Sequence, residues 1–406
     1  MNANLDIRLT EEQTMLRDAA RHYMDKEYAF TTRAGILAAQ AAGTPVDEGK
    51  WRDYANMGWL GLTLPEAAGG MGAGLFEAFL LAEAFGRALA VEPVMESVIL
   101  AGMTLAAAGT PEQQALLPEL AAGKLRLAMA CAEPQGGYDW NDVATRARPA
   151  SDGYLLEGRK SVVLGAPGAH HLLVSARTAG GQRERAGISL FLVAANAPGV
   201  RLRGYPTIDG RQAAEVELAG VRVGADALVG PLHGAVALLD AAQARGTIWL
   251  LGEAVGCLEG TVATTVEYLN NREQFGQKLS KFQALRHRVA DMYIAKEESR
   301  ALCLLAAHAH GTPEGPAAAA AAKAWIGQTG RHVGDEGVQL HGAIAITDEY
   351  IVGHYLKRLI AIDRMFGDGS AALDRYLALG GGLGGSGSSG STSGSGGFDD
   401  PPAQAA

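Results

Sequence analysis

Between Leu125 and Gly230 the spacing of apolar residues changes from the helical repeat of about 3.6 to alternation, and beyond Gly230 it changes back. Strands and helices taking turns would build a doubly wound sheet, whereas blocks of one kind build separate layers. The chain is therefore expected to fold as a helical domain, an all-β domain and a second helical domain. The first block opens with Thr10 as a helix cap and Gln13 three places on, followed by apolar Met15, Leu16, Ala19, Ala20 and Tyr23. Pro65 and the glycines from Gly58 to Gly72 interrupt it, and helix resumes in "LFEAFLLAEAFGRAL". The middle block consists of "GYLLEGRKSVVLG", "HHLLVSART", "GISLFLVA" and "AAEVELAGVRV", a pattern that predicts a β-barrel or two packed sheets. Four or five long helical segments follow, and "GGGLGGSGSSGSTSGSGG" then reads as a tail that can bury nothing. The expected class is α+β multidomain: a helical domain over 1–124, a β domain over 125–230, a helical bundle over 231–379, and a disordered Gly/Ser-rich tail over 380–406.

With 406 residues and 48% hydrophobic content, the chain can bury a sizeable core. A net charge of -9 argues against nucleic acid, which selects clustered Lys and Arg. The basic run Arg183 to Arg185 reads as a solvated hairpin tip. Cys131, Cys257 and Cys303 are few and widely spaced, which fits a reducing cytoplasm and suggests neither disulfides nor a zinc site. "MNANLDIRLTEEQ" lacks a basic and apolar leader, and no stretch suits a membrane-spanning helix. The glycines of "GGMGAG" follow no strand and lack a suitably placed acid, so they do not make a dinucleotide fingerprint. His308 and His310 point to different helix faces, His170 and His171 open a strand, and no metal is expected.

Chemistry is concentrated in two C-terminal stretches. In "NNREQFGQKLSKFQALRHRVADMY", Arg272 offers a planar fork suited to phosphate, Phe275 an apolar face for a purine, and Gln283 an amide for a ring edge. On its own this is also an ordinary junction between helices. "GVQLHGAIAITDEY" places Gln339 beside glycines, Gly342 among them, that let a ligand approach the backbone. His341 beside Gly342 is read either as part of that site or as a solvent-facing helix end. In "DRMFGDGSAALDR", Asp368 between Gly367 and Gly369 reads either as a turn residue or as a carboxylate carried into a cleft.

Together with the opening "LTEEQTMLRDAAR", with "MGWLGLTLPEAAGG" and with "AEPQGGYD", these motifs resemble the acyl-CoA dehydrogenase family along nearly the whole chain. The resemblance implies a three-domain flavoprotein with a C-terminal four-helix bundle, an acyl-CoA substrate, FAD as cofactor and electron-transfer flavoprotein as acceptor. It also implies an oligomer in which one subunit holds the isoalloxazine and its neighbour grips the ADP half. The grip maps to Arg272, Phe275, Gln283, Gln339 and Gly342.

The ring half departs from the family pattern. Ala132 stands where a flavin-bonding threonine is usual, Tyr138 replaces a serine, and Val162, Val163 and Leu164 stand where a Trp-Ile-Thr strand usually packs on the ring. The family's catalytic glutamate has two usual positions. One falls in the turn Phe366-Gly367-Asp368-Gly369 and the other near Gly246, so Asp368 is the only carboxylate near either. Tyr138 and Arg245 are candidate substrate contacts, Arg245 being equally readable as a surface residue. The favoured expectation is a small partner subunit, resembling those of pimeloyl-CoA-type dehydrogenases, that completes the FAD site of a homologous catalytic subunit in a heterotetramer. The alternatives are a self-sufficient homo-oligomer using Asp368 as base, and a related flavin monooxygenase on the same scaffold.

Overall fold

The structure, a computed structural model, describes residues 8–381. The expected tail beyond them therefore lies outside the described residues. The N-terminal helices are α1 (Glu11–Glu27), α2 (Phe30–Ala41), α3 (Glu48–Asn56), α4 (Leu75–Ala88), α5 (Met103–Ala108), α6 (Pro111–Gln114) and α7 (Leu117–Ala121), with a π-helix at Met95–Gly102 before α5. The capping box is formed as expected: the Thr10 hydroxyl accepts from the Gln13 amide at 3.2 Å, and the Gln13 side chain accepts from the Thr10 amide at 3.0 Å. Trp51, Tyr54, Phe79 and Phe85 lie fully inside the core that this end of the chain forms.

Between α3 and α4 the glycine-rich loop is folded on itself. The amides of Gly69, Gly70, Met71 and Gly72 donate to the carbonyls of Glu66, Pro65, Gly61 and Leu64 at 2.8–3.0 Å. These amides are committed to the loop, so it offers no cradle for a phosphate.

The middle of the chain forms β1 (Leu127–Ala130), β2 (Arg146–Ala150), β3 (Gly153–Leu164), β4 (His171–Arg177), β5 (Ile188–Ala194), β6 (Val200–Pro206), β7 (Gln212–Gly224) and β8 (Leu228–Val229). They make one eight-stranded sheet in the order β6-β7-β3-β2-β4-β5-β8, with β1 paired to β4. The pairs are antiparallel except that β1 and the first residue of β2 run parallel to β4. Among the described residues no ladder joins β6 to β8, so the expected barrel is not closed and the sheet is not split in two. The reason is β6, an edge strand whose Arg201 and Arg203 stand in solvent, where charge discourages further pairing. As expected, Arg183 and Arg185 sit in the turn between β4 and β5, where each meets a carboxylate, Asp142 at 2.9 Å and Asp240 at 2.6 Å.

The C-terminal helices are α8 (Val236–Asn271), α9 (Gln283–His308), α10 (Gly315–His341), α11 (Ile351–Arg364) and α12 (Gly369–Ala378). A tight hairpin of β9 (Glu273–Gln274) and β10 (Gln277–Lys278) joins α8 to α9. Helix α10 packs on α8, α9, α11 and α12, giving the bundle. Helix α8, about 54 Å long at 1.5 Å per residue, also crosses α4, and glycines set that crossing. A Cβ on Gly86 would stand 2.0 Å from the Glu253 carbonyl, and one on Gly256 2.0 Å from the Glu83 carbonyl.

A buried ion ladder ties the parts together. Arg211 of the sheet end meets Glu253 of α8 at 2.8 Å and Glu96 of the π-helix at 3.3 Å. Arg358 of α11 bonds the same Glu253 at 2.8 Å and Asp209 at 2.7 Å, and Arg33 of α2 donates to the Asp209 carbonyl at 2.8 Å.

Candidate functional site

The C-terminal motif residues collect at one end of the bundle. Arg272 caps α8, Phe275 sits at the tip of the β9–β10 hairpin, and Gln283 begins α9. Gln339 lies in the last turn of α10, and Gly342 ends that helix at φ 71°. The ends of α8 and α10 are held side by side by Tyr268, whose ring lies 4.4 Å from that of His341 and whose hydroxyl donates to the His341 carbonyl. Arg272, Phe275, Gln283 and Gln339 are exposed, Phe275 to 88%, and none of the three polar side chains has a hydrogen-bond partner among the described residues. Phe275 keeps a left-handed φ of 56° at the tip, with only Phe282 edge-on at 6.1 Å. An aromatic face, a guanidinium fork and two amides thus stand open together, a donor set that fits an adenine dinucleotide. His341 is buried rather than solvent-facing; its Nδ1 bonds the Gly337 carbonyl at 2.7 Å and burial pushes its pKa down.

The second candidate region lies between the sheet, the π-helix and the turn after α11. A cavity of 470 Å³ is lined there by Glu96, Ala132, Tyr138, Trp140, Val162 and Phe366, among others. Its sheet wall comes from β3, where the ladder with β7 shifts between Lys160 and Val163. Val162 is thrown outward by that bulge, 53% exposed at φ 50°. Ala132 contributes a methyl group, and its carbonyl accepts from the Ser161 amide at 3.0 Å. Neither residue offers the side-chain donor that a flavin ring edge needs, so this wall does not fit the isoalloxazine as the open bundle end fits the dinucleotide. As expected β3 carries no indole, but one reaches the cavity from elsewhere: Trp140 enters from the loop after β1 and meets Phe366 edge-on at 5.6 Å.

Of the two expected base positions, Gly246 backs onto this cavity through Phe366 and Leu100, whereas Asp368 lines a separate cavity of 620 Å³ with Trp325, Gln328 and Arg364. Phe366 holds φ 58°, and its ring lies so close to Gly246 that a Cβ there would meet Phe366 Cε2 at 2.5 Å and Leu100 Cδ2 at 2.8 Å. The space that a side chain at 246 would use is therefore filled by Phe366. Lys323 of α10 clamps the turn, donating to the carbonyls of Asp363 at 2.9 Å and Gly367 at 2.5 Å; burial brings its pKa down to about 8.

Asp368 is engaged as a cap. It accepts from the Ala371 amide at 3.0 Å at the start of α12, from the Tyr138 hydroxyl at 3.2 Å and from Arg364 at 3.1 Å. The cap bond, then Tyr138 and Arg364, hold its carboxyl below the ordinary aspartate value. Tyr138 lines the 470 Å³ cavity and also a neighbouring one of 320 Å³. Arg245 is half-buried: it donates to the Ile99 carbonyl at 3.3 Å and to the Thr104 hydroxyl at 2.7 Å, with its pKa brought down to about 10 by burial. Glu96 had no signal in the sequence, because nothing local distinguishes a carboxylate that will face a cavity. Among the described residues, no cluster of His, Cys, Asp and Glu suits a metal, and no helix is long and apolar enough to cross a membrane.

Comparison with known proteins assigns these parts. The family descriptions "Acyl-CoA dehydrogenase, N-terminal domain", "middle domain" and "C-terminal domain" match residues 10–124, 128–221 and 235–373. The acyl-CoA dehydrogenase FadE12 of Mycobacterium tuberculosis is 31% identical over 74% of this chain and 79% of its own length. Among solved structures, a variant of the steroid ACAD Tcur3481–Tcur3483 shares 34% identity at a TM-score of 0.79, covering 91% of this chain and 97% of that one. The ChsE4–ChsE5 complex of Mycobacterium tuberculosis shares 26% identity at a TM-score of 0.83, covering 94% and 100%.

Proposed function

The chain belongs to the acyl-CoA dehydrogenase family, the FAD-dependent oxidoreductases that act on the CH–CH bond of acyl-CoA thioesters, and on that premise we propose that it is a partner subunit. In this reading it grips the ADP half of FAD for a homologous catalytic subunit and does not supply the base itself. The observation that carries the reading is Phe366, whose ring fills the space beside Gly246 while the nearby Asp368 is spent on capping α12. A base for α-proton removal needs a carboxylate with a pKa near neutrality and an open path to the substrate. Asp368 has a depressed pKa and three donors already on it, which counts against the self-sufficient reading.

The open end of the bundle supports the other half of the proposal. Arg272 would bond the pyrophosphate with its planar fork, a charge-assisted contact. Phe275 would lie against the adenine, and Gln283 and Gln339 would bond its polar edges or the ribose. Gly342, with nothing within 4 Å of a built Cβ, would let the backbone approach. When bound, FAD supplies the hydride acceptor for the oxidation. The role of this chain is to hold the far half of that cofactor in register while the partner orients the acyl group. The two assemblies named above, Tcur3481–Tcur3483 and ChsE4–ChsE5, are each named for two chains, which supports the arrangement proposed here. Electron-transfer flavoprotein is the proposed acceptor.

The test is co-expression with a homologous dehydrogenase. The pair should carry stoichiometric FAD and the chain alone only traces. Arg272→Ala in this chain should weaken FAD binding by the pair about tenfold or more, and Phe275→Ala should weaken it without altering thermal stability. Stoichiometric FAD in the chain alone, reduced by an acyl-CoA, would overturn the proposal.

A further inference from the structure

The 320 Å³ cavity lies between α8, α10, α12 and the loop that opens with His310, and its charges are unbalanced. Lys323 and Arg375 line it, and no carboxylate does. Among the described residues neither cation has an ion pair. Lys323 gives its protons to the carbonyls of Asp363 and Gly367, while Arg375 is exposed and its side chain bonds nothing. Asp363 and Asp368 approach Lys323 from the turn, but Asp363 accepts from the Gly369 amide and Asp368 from Tyr138 and Arg364. A third cation, Arg245, adds its charge to burial in holding down the pKa of His310, and it too is bonded only by a carbonyl and a hydroxyl.

The walls are small and apolar, with Pro316, Ala319 and Ala320 from α10, Ala372 from α12 and the Phe366 ring. A volume of 320 Å³ is at the lower end for ligand pockets, which run from about 300 to about 1,000 Å³. It suits a single aromatic side chain. Helix α12 leads away from it: Leu379 lies one turn beyond Arg375 on the same face, and the described residues end at Gly381. From Gly382 to Gly397 the sequence is Gly, Ser and Thr apart from Leu383, and then comes Phe398-Asp399-Asp400. An aromatic ring beside two carboxylates complements an apolar cavity bordered by cations without ion pairs. A Gly/Ser linker of that length has a root-mean-square span of about 22 Å, against about 15 Å for the whole of α12, so the segment can reach back to the cavity.

We propose that Phe398, Asp399 and Asp400 of this chain dock in the 320 Å³ cavity, the ring against Pro316, Ala319 and Phe366 and the carboxylates at Arg375. Lys323 and Arg245, held further in, add to the attraction without touching the segment. Segment, linker and cavity belong to one chain, so the proposal stands independently of the partner-subunit reading.

The experiment measures fluorescence anisotropy of a labelled peptide spanning Ser393 to Ala406 against full-length chains. In one chain Phe398→Ala, Asp399→Asn and Asp400→Asn together disable its own segment, and this chain should bind the peptide. The wild type should bind it at least about tenfold more weakly, because its own segment competes at an effective concentration on the order of millimolar. Adding Arg375→Glu to the disabled chain should weaken the peptide about tenfold or more. Adding Ala319→Phe instead, which fills the cavity and leaves the charges alone, should abolish binding. No binding by the disabled chain, equal binding by the wild type, or undiminished binding after either further substitution overturns the proposal. Inorganic pyrophosphate probes the cavity as a plain anion site. It should bind the disabled chain more tightly than the wild type, and equal affinity would mean that the segment does not hold the cavity, which also overturns the proposal. FAD content is not read here, so failure of this proposal and failure of the subunit proposal are separate outcomes.

Discussion

Asp368 shows how one residue can satisfy either of two readings until its neighbours are known. A glycine-flanked aspartate before a helical stretch is a good N-cap and equally a good loop carboxylate. In the structure the cap is formed, and Ala371, Tyr138 and Arg364 all donate to the carboxylate. Asp368→Ala should therefore cost about 1 kcal/mol of stability in urea unfolding, as lost caps generally do, and should leave the FAD content of the assembled pair unchanged. The pH dependence has a defined sign. The folded carboxyl titrates below its unfolded value, so its contribution is present above the ordinary aspartate pKa and is lost as pH falls through the folded one. Wild type and variant should therefore converge in stability in acid, and a gap that widened there would contradict the assignment. Glu96 and Trp140 are the opposite case. Neither belongs to a recognisable motif, and both matter only because a π-helix, a loop and a turn meet at one cavity.

At the scale of elements, period and composition marked the long pieces well. The helices α1, α4 and α8 to α12 and the strands β3, β4, β5 and β7 fall where the spacing placed them. The short strands escaped for identifiable reasons. In β1, "LAMA" is buried on both faces and does not alternate; β2 contains Pro149, and β6 is an exposed edge with charge on it. What period cannot show is how closely two elements approach. Gly35 and Gly86 both sit inside helices, but a Cβ on Gly35 meets nothing within 4 Å whereas one on Gly86 meets backbone. Gly35→Ala should stabilise the protein by up to about 1 kcal/mol. Gly86→Ala should destabilise it by about 1–3 kcal/mol or more by forcing α4 off α8. Thermal unfolding of the two variants distinguishes them, and equal effects would show that the crossing is not as close as described.

For the whole molecule, the buried ladder from Glu96 to Asp209 is the device that sets the helical ends and the sheet in one relative position. Removing one partner leaves a buried charge uncompensated, so Arg358→Leu should cost about 3–5 kcal/mol. Replacing the exposed Arg201, which pairs with Glu217 at the sheet edge, should be nearly neutral by the same unfolding measurement. The sequence by itself determined the family and the helical, β and helical order, because these rest on local period and on motifs of contiguous residues. Only the tertiary structure decided that the sheet stays open, that Phe366 occupies the space beside Gly246, that Asp368 caps a helix and that Glu96 borders a cavity. Those are facts about distances between segments far apart in the chain, and they follow from packing that no local pattern encodes.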